Sequence, residues 1–155
     1  MPEKEGTFVV THADGDSAVL KDADDGQVHT LVENPGVDRG DVVEATLSPE
    51  PPLEVAWRVA GIEDHRSLSI ERSEEPPTEQ ERSLADESSV GDVARVDRAG
   101  TGELHVLPVD PEETDAAVRD VLEDEATLTR AARMAGVGRV EVRSEPGVVS
   151  VRYLP

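Results

Sequence analysis

The sequence predicts an α+β protein. A small all-β barrel or rolled sheet comes first, followed by a β-β-α(α)-β-β layer in the C-terminal part. Three observations carry this. Short segments before residue 72 alternate apolar and polar residues with period two, as half-buried strands do. Between residues 117 and 135 the apolar spacing lengthens to that of a helix face. Between these regions, residues 73–89 hold 6 acids, 1 base and almost nothing to bury.

The N-terminal strands are expected at Thr7–Thr11, Ser17–Leu20, Val28–Val32, Asp41–Leu47 and Leu53–Ile62. In the last of these Leu53, Val55, Trp57 and Val59 share one face, with Glu54 and Arg58 on the other. Ser67–Ile70 is expected to close the set. The connectors are short and carry turn residues: Asp14-Gly15-Asp16, Asp24-Asp25-Gly26, Asn34-Pro35-Gly36 and Arg39-Gly40-Asp41. Five or six short strands at this spacing read as a small barrel or rolled sheet.

Residues 73–89 read as an acidic Pro/Ser/Glu linker. A short helix from Thr78 to Asp86 fits there but would have no core face. The C-terminal part opens with strands at Val93–Val96 and Glu103–Val109. Asp110, Pro111 and Glu113 then read as a capping box with Pro at the first helical position. The stripes Ala117, Val118, Val121, Leu122 and Leu128, Ala131, Ala132, Ala135 imply two helices or one bent helix, ending at Gly136. Strands Arg139–Glu145 and Val148–Leu154 follow, joined by Pro146-Gly147 in a type II turn. The expected organisation is a β domain over 1–72, the linker over 73–89 and an α+β domain over 90–155, with helices on one face of its sheet.

Composition bounds the function classes. The 155 residues include 35 Asp+Glu and 15 Lys+Arg, a formal charge of −20. Arg outnumbers Lys 13 to 2, and Val outnumbers Ile 23 to 2. Apolar residues make up 36%, and Phe8, Trp57 and Tyr153 are the only aromatics, so the core must be built from Val, Leu and Ala. Such a balance resembles that of proteins from extreme halophiles. At about 1 M salt the Debye length is ~3 Å, so an acidic surface is screened from its own repulsion and stays hydrated. Most of the charge then reflects solvent and says little about partners. With no Cys there is no disulfide, thiol nucleophile or thiolate metal site. No uncharged apolar run approaches the ~18 residues of a membrane span. The first residues lack the basic start and apolar stretch of a secretory signal, so a cytosolic location is expected.

Four segments carry a resemblance: Gly6-Thr-Phe-Val-Val-Thr-His-Ala-Asp14, Gly26-Gln-Val-His-Thr-Leu31, Glu50-Pro-Pro-Leu-Glu-Val-Ala-Trp57 and Val140-Glu-Val-Arg-Ser-Glu-Pro-Gly-Val-Val-Ser-Val-Arg-Tyr153. Through them the chain resembles an uncharacterised haloarchaeal family, a domain of unknown function. The resemblance covers nearly the whole chain. It implies a source class and one co-inherited two-part unit, and brings no activity or catalytic residues.

Each candidate site in the sequence has a plainer reading beside the functional one. The Asp-rich turns around Asp14 and Asp22 supply oxygens for a hard cation, but Gly26 and Gln27 break the calcium-loop pattern, and solvated turns are the simpler reading. Leu128–Val137 resembles the start of a helix-turn-helix, yet a strand pattern follows where the recognition helix belongs. His12, His29, His65 and His105 fall on different elements, and no spacing singles one out for catalysis. The remaining signal is arginine. Arg130, Arg133, Arg139, Arg143 and Arg152 face only Glu141 and Glu145 over residues 130–152, a local excess of three positive charges. Alternation puts Arg139, Arg143 and Arg152 on one exposed face of the C-terminal sheet, if Val142 and Val149 face the helices. This face either docks an acidic protein or nucleic-acid backbone, or pairs internally with Glu141, Glu145 and linker acids.

The expected function is therefore a non-catalytic binding or adaptor protein without metal or cofactor, with Arg130, Arg133, Arg139, Arg143 and Arg152 meeting an unidentified partner that is not a membrane. The alternative is an RNA- or DNA-associated protein using the barrel and the arginine face. An enzyme of unidentified reaction is the second alternative. Oligomeric state is left open.

Overall fold

The fold is that of a computed structural model describing residues 3–52 and 55–155. Its contacts group into two units, Met1–Leu68 with Leu128–Arg133, and Ser69–Thr127 with Met134–Pro155.

The first unit is built on a closed barrel. Its strands are β1 (Lys4–Ala13), β2 (Ala18–Asp22), β3 (Val28–Leu31), β4 (Asp41–Pro49) and β5 (Trp57–Ser67), in the order β1-β2-β3-β5-β4. β1 pairs antiparallel with both β2 and β4, and closure comes from β5, antiparallel to β4 and parallel to β3 at Leu31 and Trp57. This is the connectivity of the five-stranded Greek-key barrel known as the OB-fold. The inward set is Phe8, Val10, Ala18, Leu20, Leu31, Val43, Ala45, Leu47 and Trp57, every second residue of each strand, joined by Val37 from the loop before β4. The connecting turns are built by their own side chains. Asp14 Oδ1 accepts from the amides of Asp16 and Ser17, and Asn34 Oδ1 accepts from those of Gly36 and Val37, all at 2.8 Å.

Two sequence expectations need correction here. The fifth strand begins at Trp57. Leu53 lies outside the described residues, and Val55 is 78% exposed, so the inward stripe reduces to Trp57 and Val59. Pro51 and Pro52 have no N–H for a ladder. The chain turns there instead, and the Glu50 amide reaches the Ala56 carbonyl at 2.8 Å. The segment expected as a sixth barrel strand also pairs elsewhere. Each barrel strand already has two neighbours, so β6 (Ser69–Arg72) joins the second sheet.

That sheet has the order β6-β9-β10-β8-β7, where β7 is Ala94–Asp97, β8 Glu103–Pro108, β9 Arg139–Glu145 and β10 Val148–Leu154. β6 runs parallel to β9; the other pairs are antiparallel. The helices are α1 (Glu79–Asp86), α2 (Thr114–Glu123) and α3 (Glu125–Arg133). Val140, Val142, Val149, Val151 and Tyr153 share one sheet face and are buried. α2 covers this face with the fully buried Val118, and Arg72 ties it down by donating to Asp115 and Ser144 at 3.1 and 3.2 Å. On the other face α1 packs Leu84 and Ala85 against Leu104, Val106 and Val148. Helices therefore cover both faces rather than one.

The helix within the acidic segment thus has a core face. Thr78 and Glu81 form a reciprocal capping box, and Glu81 and Ala85 are buried. The box expected at Asp110 is absent: Pro111–Glu113 is a 3-10 turn without a side-chain cap. The Thr114 hydroxyl serves there instead, donating to the Pro111 carbonyl (2.9 Å) and accepting from the Gly147 amide (3.0 Å). Between β7 and β8, Gly102 has φ +99° and lies against the Tyr153 carbonyl, where a Cβ would clash with backbone. Among the described residues no helix is long and apolar enough to cross a membrane.

Candidate functional site: the arginine face of the second sheet

In the β9–β10 hairpin, Arg139 lies opposite Leu154, Glu141 opposite Arg152 and Arg143 opposite Ser150. Directly paired residues share a face, so Arg139, Arg143 and Arg152 do lie together, as alternation predicts. Their surroundings differ from the expectation of an open face, because α1 packs over part of it. Arg139 is exposed. The Arg143 and Arg152 side chains are only 14% and 21% exposed. Arg130 and Arg133 lie on the α3 segment grouped with the barrel and are not part of this sheet face.

Glu141 is the hub. Its Oε1 accepts from Arg143 Nε at 2.5 Å and from Arg152 Nη1 at 3.1 Å. Burial alone would raise its carboxyl pKa, but the two guanidiniums outweigh burial and hold it below the ordinary value. Two acids of the segment before β7 complete the network. Glu81, 1% exposed, lies 3.5 Å from Arg152 Nε, and Glu75 meets Arg143 Nη2 at 2.7 Å while remaining 71% exposed. Arg82 donates to Glu145 at 2.5 Å. Internal pairing, the plainer of the two sequence expectations, is therefore present at Arg143 and Arg152 with Glu141 and acids of the 73–89 segment, whereas a core-facing helix in that segment is not expected from its composition. The Thr78-x-x-Glu81 spacing was the signal available for Glu81. Beside the network a cavity of about 350 Å³ is lined by Thr78, Gln80, Glu81, Arg98, Leu104 and Arg152.

The other candidate residues are dispersed. Asp14, Asp22 and Asp25 each accept backbone N–H bonds inside their own turns, which uses their oxygens structurally. Asp22 and Asp25 also pair with Lys4 at 3.3 and 2.8 Å. Among the described residues no group of three or more His, Asp and Glu side chains is arranged to hold a metal ion. The helix-turn-helix-like segment is the end of α3 running into β9. His12 is exposed, His29 is sealed in the barrel, and His105 pairs with Glu103 at 3.0 Å. Asp41 accepts from Ser67 (3.1 Å) and lies 2.7 Å from His65 Nε2. The carboxylate stands between hydroxyl and imidazole, so neither bond sets the imidazole to take a proton from Ser67.

Residues 4–144 match the model of a family of unknown function, DUF5812. No curated protein and no solved structure matches the chain.

Proposed function

Since the chain belongs to the DUF5812 family, whose function is unknown, we propose from its geometry that it is a non-catalytic binding protein for a partner presenting carboxylates or phosphates to the arginine face. One observation carries this reading. Arg143, largely buried, is capped by Glu75, a carboxylate that is mostly in water. Because Glu75 keeps most of its water, the pair is held more weakly than a fully buried one. A partner offering a bidentate oxyanion replaces it at little cost, and Arg139, exposed on the same face and without a side-chain partner among the described residues, extends the contact. Glu141 and Glu81 keep the guanidiniums aimed.

The proposal includes the setting read from composition, a molar-salt cytosol of haloarchaeal type. In such salt only short-range bidentate contacts and packing hold a partner. In this reading 1–72 and 90–155 are the two modules, and 73–89 joins them while carrying α1.

A pull-down from the native cytosol at molar KCl tests the site. Glu75→Gln should increase capture and Arg139→Gln should reduce it, with both variants folded. Equal capture by all three proteins places the partner elsewhere. The salt setting has its own test. The circular-dichroism melting temperature should be clearly higher in about 2 M than in about 0.1 M KCl, where the Debye length grows to ~10 Å and the acids repel one another. An unchanged melting temperature would contradict the halophile account.

One observation favours a second reading. The barrel has OB-type connectivity, shared by many proteins that bind single-stranded nucleic acid. Against it, residues 1–72 hold 16 acids and 6 bases, net −10, and Phe8 and Trp57 are core residues rather than stacking platforms. Co-purifying nucleic acid, read from the absorbance ratio, would favour this alternative.

A further inference from the structure

β7 ends the second sheet, with one side paired to β8 and the other unpaired. The Arg98 amide bonds to the Gly102 carbonyl at 3.2 Å, so Arg98 points its N–H to the β8 side. Antiparallel alternation then turns Val96 and Ala94 toward β8 as well. The N–H and C=O of Arg95 and Asp97 point outward, and among the described residues no strand receives them. Their side chains share the sheet face opposite α1 and are exposed. Neither makes an ion pair or side-chain hydrogen bond among the described residues. Asp97 moreover stands opposite Glu103, a like-charged neighbour.

We propose that β7 pairs with β7 of a second copy, antiparallel and centred on Val96, giving a homodimer with one continuous sheet. In this register Arg95 of each copy lies opposite Asp97 of the other. Both are residues with outward backbone groups, so each Arg95–Asp97 pair exchanges two backbone hydrogen bonds and also matches opposite charges. Asp97 thereby gains a cation to offset Glu103. The registers centred on Arg95 or on Asp97 satisfy the same backbone groups but set like charges face to face. The charges on this edge therefore select one self-complementary pairing, whereas edge charges commonly serve to prevent pairing. Val96 meets its copy on the other face. No residue of the Glu141 network takes part, so the dimer stands or falls separately from the proposed partner site.

Sedimentation velocity over a chain-concentration series up to millimolar, at low and at molar KCl, reads the result. The wild type should shift from one chain toward two as concentration rises. Arg95→Asp places Asp opposite Asp and should stay monomeric. Asp97→Arg places Arg opposite Arg and should stay monomeric too. An equimolar mixture of the two restores both opposite-charge pairs and should dimerise again. Unchanged circular-dichroism spectra and melting temperatures establish that both variants fold. A wild type that remains one chain throughout overturns the proposal. So does a dimer that survives in either single variant, or a mixture that fails to associate.

Discussion

Replacing Glu141 by Gln should lower stability by roughly 2–3 kcal/mol at neutral pH. Removing one member of a fully buried ion pair costs ~3–5 kcal/mol, because the partner charge is left without compensation. Here the loss is smaller because Arg143 and Arg152 retain some water and keep Glu75 and Glu81 as remaining acids. The amide preserves the shape and one acceptor oxygen, so the change isolates charge from packing. The pH dependence follows from the carboxyl pKa being held below its ordinary value of 4.5. A carboxylate depressed in the fold stabilises it above the unfolded pKa, and that stability is lost as pH falls through the folded one. The gap between wild type and Glu141→Gln, measured by denaturant unfolding, should be constant well above the ordinary 4.5 and shrink progressively as pH falls below it. A gap that is absent at neutral pH would mean that the arginines are held by packing alone. Because Arg143 and Arg152 are part of this network, replacing Arg139, Arg143 and Arg152 together should destabilise the fold. Arg139→Gln is the cleaner probe of binding.

The barrel was legible in the sequence because its signal is local. Period-two alternation places Phe8, Val10, Val43, Ala45 and Leu47 inside, and turn residues sit where the strands reverse. What was not legible depends on pairing between distant segments. Nothing in Ser69-Ile-Glu-Arg72 distinguishes a barrel strand from one parallel to β9, and the outcome follows from barrel closure by β5. Alternation placed the three arginines on one face, but their exposure depends on α1, whose apolar face is only Leu84 and Ala85. In a chain with 35 acids, a buried glutamate carries no compositional mark. The two reciprocal bonds of the capping box supply part of the reason that Glu81 is inside.

The barrel should lose stability as pH falls below about 6.5, and His29 should be the cause. Its ring is fully buried between Phe8 and Trp57, edge-on to each with centroids 5.4 and 4.9 Å away. Among the described residues neither ring nitrogen has a partner in good hydrogen-bond geometry. The backbone of Gln27 is close enough to act only weakly on the imidazole. Burial is the main reason its pKa lies below the ordinary 6.5, and the Lys4 charge acts in the same direction; Asp22 and Asp25 oppose them without prevailing. The sign follows directly. Below pH 6.5 the unfolded imidazole takes up a proton that the folded one refuses, so acidification favours unfolding until the folded pKa is reached. The slope is at most about 1.4 kcal/mol per pH unit, the value for a single proton. Leu is close to His in volume and cannot titrate, so His29→Leu should remove this slope while keeping the barrel filled. Unfolding free energies at about pH 7.5 and about pH 5.5, the window in which an unfolded histidine titrates, make the comparison. The wild type should fall with acidification, and His29→Leu should fall by clearly less. His12, His65 and His105 are common to both proteins and cancel in the difference. Parallel losses in the two proteins would show that another group carries the acid sensitivity and that the barrel accommodates the imidazolium.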